Sequence, residues 1–447
     1  MDIINNAYVS DKYQYTMGKS YLECGKQDRI AVFNLFYRKA PENNNWAVVS
    51  GTEEVIEMVL KLGSEPEEFY ERFLPGEEYR EFRKYLSTMK FTGDVYTMRE
   101  GEIAFPNQPI VTVVGPMIES QVLETPMLCI LTGAFNNVPS TGTMAHSFIT
   151  SYGSTVEGEH KAFSDYIRTH KGENLILLID TYDTLRCGVK NAIRSFKEAG
   201  IDDSYGSGYG IRLDSGDLAY LSQEVRRILD EHGLTKCKIF ATNGLDEYLI
   251  TDLERQGARI DSYGVGDAIA TSKAAPCFGN VYKLVQIDDQ PVLKRSEDKI
   301  KLINPGFQIT WRISSQDKEK GNSLDGYVFK ADVTCLRGDA MDLAIQQGKT
   351  ITIRDEYDSF KTKTFEEGTY DARPLQLQSI KAGERIAPYY NLLQKKQFYK
   401  DNLHHFSPAE RRLINPHYYK VDISDALYDC KMSIIGKLVK EIDSFEI

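Results

Sequence analysis

The chain has 447 residues, and 65 acidic against 54 basic side chains give a formal net charge of −11. Hydrophobic residues make up 41% and charged residues 27%, which excludes a disordered chain and is typical of a globular protein. The length predicts two or three domains, and the acidic balance argues against a broad basic face that binds nucleic acid.

Residues 1–128 alternate between helical and extended patterns and are expected to form a mixed α/β N-terminal domain. Apolar spacing predicts helices and strands in this region. The predicted helices cover 11–22 (capped by Ser10), 53–62 and 75–89, and the predicted strand covers 32–37.

The middle of the chain repeats short apolar segments of the kind that form buried parallel strands. These segments are 175–179, 210–213, 238–241, 260–265 and 281–285, and helical patterns lie between them at 183–199, 218–232 and 245–256. The repeat predicts either a β/α barrel or a doubly wound sheet over residues 129–300. In both folds the site lies in the loops after the strands, which here carry Asp180, Asp214, Asn243 and Asp267.

After residue 300 the repeat fades, and residues 301–447 are expected to pack on the other two regions. A charged, strand-like stretch covers 349–375, and 389–402 is predicted to be helical.

Nothing in the sequence predicts a membrane span or an exported, disulfide-bonded protein. The longest aliphatic run has five residues (175–179), against the roughly 20 of a transmembrane helix. No secretion signal is visible at the N-terminus. The seven cysteines are scattered without a Cys-x-x-Cys pair, and no metal-ligand pattern occurs, so we expect a cytoplasmic protein without a protein-built metal site.

Residues 210–218 are the stretch richest in chemistry, with a cation, two carboxylates and a hydroxyl just past a predicted strand. Arg212 could grip a planar carboxylate or a phosphate through two hydrogen bonds. Asp214 could accept hydrogen bonds from a sugar diol or hold Mg²⁺ beside a phosphate. An ordinary helix N-cap would use the same residue types, so both interpretations stay open.

Three weaker signals each have an ordinary structural explanation. His146 is a lone histidine among small residues, and such a residue is more often structural than catalytic. Gly264 and Gly266 could let backbone N–H groups approach a phosphate, although tight turns need glycine too. Arg38 and Lys39 follow a strand and could simply form a solvated edge.

Taken in order, these motifs resemble the nicotinate phosphoribosyltransferase family over almost the full length of the chain. The stretches that carry the resemblance are 10–14 (Ser-Asp-Lys-Tyr-Gln), 36–39 (Phe-Tyr-Arg-Lys), 100–107, 123–126 (Leu-Glu-Thr-Pro), 142–147 (Gly-Thr-Met-Ala-His-Ser), 210–217, 264–266, 281–284 (Val-Tyr-Lys-Leu) and 411–416. The resemblance implies a type II phosphoribosyltransferase fold: an irregular β/α barrel and a mixed α/β N-terminal domain completed by C-terminal segments. It also implies a homodimer.

The resemblance further implies a ligase-class glycosyltransferase of NAD salvage. Nicotinate and phosphoribosyl pyrophosphate (PRPP) would give nicotinate mononucleotide and pyrophosphate, coupled to ATP hydrolysis and assisted by Mg²⁺. The roles carried over by position are Tyr13 stacking on the pyridine ring, Thr143 lining its pocket, Arg212 holding its carboxylate, Asp214 and Ser215 at the ribose, Arg38 near the pyrophosphate, Asn243, Gly244, Gly264, Gly266 and Asp267 around the 5′-phosphate, and His146 as the residue that ATP phosphorylates.

The chain departs from the family pattern at two places. Asp267 stands where many members have threonine, and only 22 positions separate Glu124 from His146. Family members carry a longer segment there, including a Phe-Gly-x-Arg-Arg stretch. We therefore expect a missing strand–helix unit, a missing arginine pair, weak PRPP binding and slow turnover. Two alternatives remain: a relative that uses nicotinamide, and a weakened paralogue that binds a nucleotide or a partner.

Overall fold

The computed structural model describes residues 12–40, 45–63, 65–132, 144, 146–171, 174–266, 268, 279–294, 303–316, 326–356, 358, 360–412 and 415–443. The chain divides into two compact units, one formed by residues 1–137 with 277–447 and the other by residues 138–276. The domain boundaries predicted from the sequence, at 128/129 and 300/301, lie 9 and 24 positions away from the boundaries of these units at 137/138 and 276/277. Both ends of the chain thus belong to one unit, and the strand–helix repeat occupies the other.

Fourteen α-helices have described bounds, and no helix of the described ranges is long and apolar enough to cross a membrane. The helices are α1 (Lys12–Glu23), α2 (Thr52–Leu60), α3 (Glu67–Glu71), α4 (Arg80–Thr88), α5 (Met117–Gln121), α6 (Glu124–Thr132), α7 (His146–Thr150), α8 (Val156–His170), α9 (Val189–Glu198), α10 (Leu218–Glu231), α11 (Glu247–Arg255), α12 (Ala340–Gln346), α13 (Leu392–His404) and α14 (Asp425–Asp443).

Nineteen strands are described in the same part of the chain. They are β1 (Ile30–Tyr37), β2 (Ala47–Val48), β3 (Asp94–Met98), β4 (Ile103–Ala104), β5 (Val111–Pro116), β6 (Leu175–Leu178), β7 (Tyr209–Leu213), β8 (Lys238–Ala241), β9 (Ser262–Tyr263), β10 (Asn280–Ile287), β11 (Gln290–Pro291), β12 (Gln308–Gln316), β13 (Tyr327–Leu336), β14 (Ile351–Arg354), β15 (Thr362–Phe365), β16 (Asp371–Pro374), β17 (Gln376–Lys381), β18 (Glu384–Arg385) and β19 (Val421–Ile423).

The first unit contains a seven-stranded and a six-stranded sheet. The seven strands run in the order β11-β10-β1-β5-β3-β17-β18, and the six in the order β15-β14-β19-β13-β12-β16. In the larger sheet β17 from the C-terminal part pairs antiparallel with β3 from the N-terminal part. The N-terminal sheet is therefore completed by a C-terminal segment. The strand-like stretch 349–375 forms β14, β15 and β16.

One predicted parallel strand, 281–285, is wrong in its pairing. Its residues lie in β10, which pairs antiparallel with β1 in the first unit. The segment is apolar at its ends but carries Lys283 in the middle, and only Tyr282 and Val285 of the eight residues of β10 are buried, while the other six are half-buried. A strand buried on both faces would have been apolar throughout.

The second unit is built on a four-stranded parallel sheet in the order β6-β7-β8-β9, which is a curled half-barrel. Residues facing its core, such as Leu177, Ile211 and Ile239, are fully buried. Helices α9, α10 and α11 follow β6, β7 and β8, as the repeat predicted. The strand predicted at 260–265 shortens to β9, and the helix predicted at 183–199 begins with a π-helical turn at Thr184–Gly188.

A fully buried charge network lies between β12, β13 and β4 in the first unit. The Arg312 guanidinium donates to both carboxylate oxygens of Asp332, at 2.8 and 2.7 Å, and to the Ile103 carbonyl at 2.7 Å. Glu102 also bonds Arg312 and Arg373. Burial alone would raise the pKa of Glu102, but the two arginines outweigh it and hold the pKa below its usual value.

We expect Asp332→Ala to lower the free energy of unfolding by about 3–5 kcal/mol, because it leaves Arg312 buried without its main counter-ion. Urea titration followed by tryptophan fluorescence measures the change. Asp358→Ala, which removes the exposed partner of Lys361, serves as the control and should cost less than about 1 kcal/mol. Equal losses in the two variants would contradict a stabilising role for the buried network.

Candidate functional site

The second unit gathers its polar loop residues at the carboxyl end of its parallel sheet. Leu178 of β6 pairs with Arg212 of β7, and Leu213 of β7 pairs with Ala241 of β8. The loops that follow these strands start at the same edge of the sheet. This edge is where both candidate folds were expected to hold their site.

His146 is the first residue of α7, and its ring faces two carboxylates of these loops. The Nε2 atom lies 3.6 Å from Asp214 Oδ2 and 3.9 Å from Asp180 Oδ1, distances of ion pairing rather than of hydrogen bonds. The Nδ1 atom lies 3.1 Å from the Thr181 hydroxyl. The side chain is 41% exposed, so the ring is oriented by three neighbours and still accessible to a ligand.

Asp180 organises the β6 and β7 loops. Its side chain is 2% exposed, and Oδ2 accepts hydrogen bonds from the Asp214 backbone N–H at 2.9 Å and from the Ser215 hydroxyl at 2.5 Å. The other oxygen, Oδ1, is buried and has no hydrogen-bond partner among the described residues. A buried carboxylate oxygen is costly to leave unpaired, so this atom is suited to a cation or a ligand hydroxyl.

Asp214 is held from both sides. Thr242, the first residue after β8, donates its hydroxyl to Asp214 Oδ1, while Oδ2 is the atom that faces His146. Gly264 approaches Thr242 so closely that a Cβ at that position would lie 2.6 Å from Thr242 Cγ2. Three consecutive strand loops therefore fix the position of one carboxylate.

The two interpretations of residues 210–218 apply to different residues. Asp217 is the N-cap of α10, because its side chain accepts a hydrogen bond from the Tyr220 N–H at 3.0 Å. Asp214 and Ser215 contact the β6 and β8 loops and do not cap the helix. The N-cap explanation holds for Asp217 and leaves Asp214 available for chemistry.

The other predicted residues of this unit line the same strand ends. Arg212 is half-buried near the end of β7. Asn243 and Gly244 both have left-handed backbones, with φ of 77° and 63°, and form the turn after β8. Gly266 is exposed, with no heavy atom within 4 Å of the position a Cβ would occupy. The roles of these four residues stay predictions.

Arg38 lies in the first unit, directly after β1, which is an interior strand of the seven-stranded sheet; the next residue, Lys39, is exposed, and the role of both cations stays a prediction. The Arg38 side chain is half-buried, and Arg38 and Lys294 both lower the pKa of Lys283. Burial is the largest cause of that lowered pKa, and Glu124, 3.8 Å from Lys283, opposes it. The first unit thus concentrates three cations near one carboxylate, an arrangement that attracts anions.

The remaining predicted residues come from the N-terminal segment and from the loops around the predicted site. Thr143 and Asp267 lie outside the described residues, as does Ser10, the predicted cap of the first helix. Tyr13 belongs to α1, and the stacking role of its ring stays a prediction.

Sequence reasoning did not assign roles to Asp180, Thr181 or Thr242, which complete the site. Asp180 was noted only as a polar loop residue. All three lie within three residues of the carboxyl end of β6 or β8, and that position was the signal that could have identified them. The arrangement can stabilise positive charge, on the imidazole ring or on a bound sugar, through two oriented carboxylates.

Two family profiles match the chain. The N-terminal domain of nicotinate phosphoribosyltransferase matches residues 9–132, and the C-terminal domain of the same enzyme matches residues 310–431.

The sequence is also similar to characterised full-length proteins. Nicotinate phosphoribosyltransferase of Bacillus subtilis is 32% identical, with 97% of this chain and 96% of that protein covered. The enzyme of the same name from Dictyostelium discoideum is 27% identical over 94% of this chain and 87% of that protein. The first alignment runs over 497 positions and this chain has 447 residues, so at least 50 positions have no counterpart here.

Two solved structures share the fold. Human nicotinic acid phosphoribosyltransferase superposes with a TM-score of 0.76 at 22% identity, covering 95% of this chain and 100% of that one. Nicotinate-nucleotide pyrophosphorylase from Pyrococcus furiosus superposes with a TM-score of 0.58 at 18% identity, covering 90% of this chain and 95% of that one.

Proposed function

Because this chain belongs to the nicotinate phosphoribosyltransferase family, we propose that it transfers phosphoribose from PRPP to nicotinate in the salvage of NAD. The products are nicotinate mononucleotide and pyrophosphate. The observation that supports this most is 32% identity to a transferase of that name across 97% of the chain. The cluster of His146, Asp180 and Asp214 supplies chemistry that suits the reaction.

In the transfer step the bond between ribose C1 and the pyrophosphate oxygen breaks, and the pyridine nitrogen of nicotinate forms the new bond to C1. The bonding electrons leave with pyrophosphate, so positive charge develops on the sugar. Asp214 is positioned by Thr242 and by the loop after β6, and its carboxylate can stabilise that charge without having to reorganise. Arg212 would orient nicotinate by gripping its carboxylate with two hydrogen bonds.

ATP coupling would use His146 as the nucleophile. The ring attacks the γ-phosphorus of ATP, the bond to the β-phosphate oxygen breaks, and ADP leaves. Its exposed Nε2 faces Asp180 and Asp214, whose negative charges can balance the cationic ring during phosphorylation. Water later hydrolyses the phosphohistidine and restores the ring.

Mg²⁺ fits this site because Asp180 Oδ1 is a buried oxygen without a partner among the described residues, and carboxylates are preferred Mg²⁺ ligands. Asp180 and Asp214 would hold the ion together with substrate phosphates, and the bound ion would neutralise phosphate charge. A cytoplasmic homodimer remains part of the proposal.

The proposal is tested by incubating the purified chain with PRPP, Mg²⁺ and ATP and measuring mononucleotide formation from nicotinate and from nicotinamide. We expect turnover of nicotinate, with nicotinamide a much poorer substrate because it lacks the anionic group for Arg212. The names of the relatives favour this reading over both alternatives. Preference for nicotinamide would favour the first alternative, and binding without turnover would favour the weakened paralogue.

We expect Arg212→Lys to raise the KM for nicotinate more than the KM for PRPP. Lysine keeps the charge but loses the planar fork, and losing a charge-assisted hydrogen bond costs about 1.5–3 kcal/mol, or roughly 10- to 150-fold. Steady-state kinetics with each substrate varied in turn measures the split. Arg226→Lys on α10 is a suitable control, because Arg226 donates to Asp230 of the same helix and to the backbone carbonyls of Leu234 and Cys237 in the loop that follows. Equal changes in both KM values would argue against a carboxylate clamp.

A further inference from the structure

A cavity in the first unit is lined by none of the residues assigned to the proposed reaction. Its volume is about 150 Å³, comparable to a cavity that holds one benzene molecule. Its lining includes the charged side chains of Glu53, Arg99, Glu100 and Lys395 and the amide-bearing side chain of Gln378. The apolar part of this lining comes mainly from the segment before α13, which contributes Ile386, Ala387 and Pro388.

Arg99 is the unusual group in this lining. Its guanidinium carbon lies 3.8 Å from the Tyr390 ring centroid and 4.0 Å from the Phe398 ring centroid. The cation therefore interacts with two aromatic rings at once. The Nε atom is buried without a hydrogen-bond partner, and no described residue forms an ion pair with the side chain. The cation is therefore held in place by stacking, with its N–H groups left available.

The two carboxylates of the cavity are already neutralised by other groups. Glu100 accepts a hydrogen bond from the Gly51 N–H at 2.5 Å and contacts the Lys395 ammonium, while Glu53 contacts Arg385. Arg99 is thus the one cation of the lining that has no counter-ion among the described residues. A ligand with a single negative charge would balance it.

Gln378 supplies a second polar group. Its side-chain amide lines the cavity half-buried and has no hydrogen-bond partner in the described ranges. By contrast, the hydroxyls of Thr97 and Ser379 bond each other at 2.7 Å, and Thr52 donates to the Met98 carbonyl. Among the described residues, the Arg99 guanidinium and the Gln378 amide are therefore free to orient a ligand.

We infer that this cavity, which we call the Arg99 pocket, binds a small aromatic monocarboxylate. The guanidinium fork matches a planar carboxylate, and the Gln378 amide can donate to the same group. The volume and the apolar side chains of Ile56, Ile386 and Pro388 suit a single flat ring. A dianionic phosphate is disfavoured, because its second charge would face Glu53 and Glu100 without a cation of its own. This inference does not depend on the proposed function.

Benzoate is the probe, because it has no ring nitrogen and cannot accept phosphoribose. Calorimetric titration is done on the full chain carrying Arg212→Ala, which disables the predicted carboxylate clamp of the other site. We expect one equivalent of benzoate to bind. Adding Arg99→Met should weaken binding at least about tenfold, and adding Gln378→Ala should weaken it by roughly three- to tenfold. The two-ring probe 2-naphthoate should not bind, because it exceeds the cavity.

Arg337→Met is the matched control. Arg337 is also stacked on two rings, 4.6 Å from Tyr96 and 4.8 Å from Phe307, but it does not line the pocket. It should leave benzoate binding unchanged. Gln378→Ala leaves the stacked arginine intact, so it tests the pocket even if Arg99→Met folds poorly. The inference is overturned if the Arg212→Ala protein does not bind benzoate, or if its affinity for benzoate is unchanged by both Arg99→Met and Gln378→Ala. Tight binding of 2-naphthoate would overturn it as well.

Discussion

His146→Ala should reduce ATP hydrolysis by about 10³-fold or more while leaving some ATP-independent transfer of phosphoribose. The ring is the nucleophile of the proposed coupling step, and alanine offers no atom to accept the phosphoryl group. The PRPP site does not use the phosphorylated ring for the transfer chemistry itself. The measurement is release of phosphate from ATP beside mononucleotide formation in the presence and absence of ATP.

A covalent readout makes this prediction specific. With γ-labelled ATP, the unmodified chain should acquire an acid-labile label that His146→Ala lacks. His232→Ala serves as the control, because His232 is exposed at the end of α10 and bonds only the Ile228 carbonyl. It should keep both the label and the hydrolysis rate. Undiminished ATP hydrolysis in His146→Ala would remove His146 from the mechanism.

Inserting the arginine-bearing segment of the family pattern between Cys129 and Pro139 should raise kcat/KM for PRPP by about 10²- to 10⁴-fold. Each of two arginines would add a charge-assisted hydrogen bond to pyrophosphate worth about 1.5–3 kcal/mol. In the alignment with the Bacillus subtilis relative, at least 50 positions have no counterpart in this chain. In the described residues β6 pairs with β7 alone, so an inserted strand has an open edge beside it.

The control for this experiment is the same insertion with its two arginines replaced by glutamine. It should restore the length of the chain but not the gain in kcat/KM, which separates the charge from the added strand and helix. If the chain as it stands already matches the insertion variant at saturating Mg²⁺, the segment is dispensable and the missing arginines are not needed for pyrophosphate.

The fold was predictable where the pattern of apolar residues has a single explanation. The strands at 175–179, 210–213 and 238–241 are buried apolar runs between turn residues, and they appear as β6, β7 and β8 within one residue at each end. The strand at 281–285 was assigned to the wrong sheet, because an apolar run does not say which strand it will pair with. That choice depends on contacts between residues about 250 positions apart, as in the pairing of β10 with β1.

The sequence by itself determined the family, the candidate histidine and the strand ends at which the chemistry lies, because these depend on residue type and order along the chain. Only the tertiary structure decided that Asp214 rather than Asp217 faces His146, since the two differ in which neighbouring loop each contacts. It also decided that two separate loops hold Asp214, since Asp180 accepts a hydrogen bond from its backbone N–H and Thr242 donates one to its carboxylate. Hydrogen bonds between loops 28 to 34 positions apart leave no local pattern, so the folded sheet is needed to bring them together.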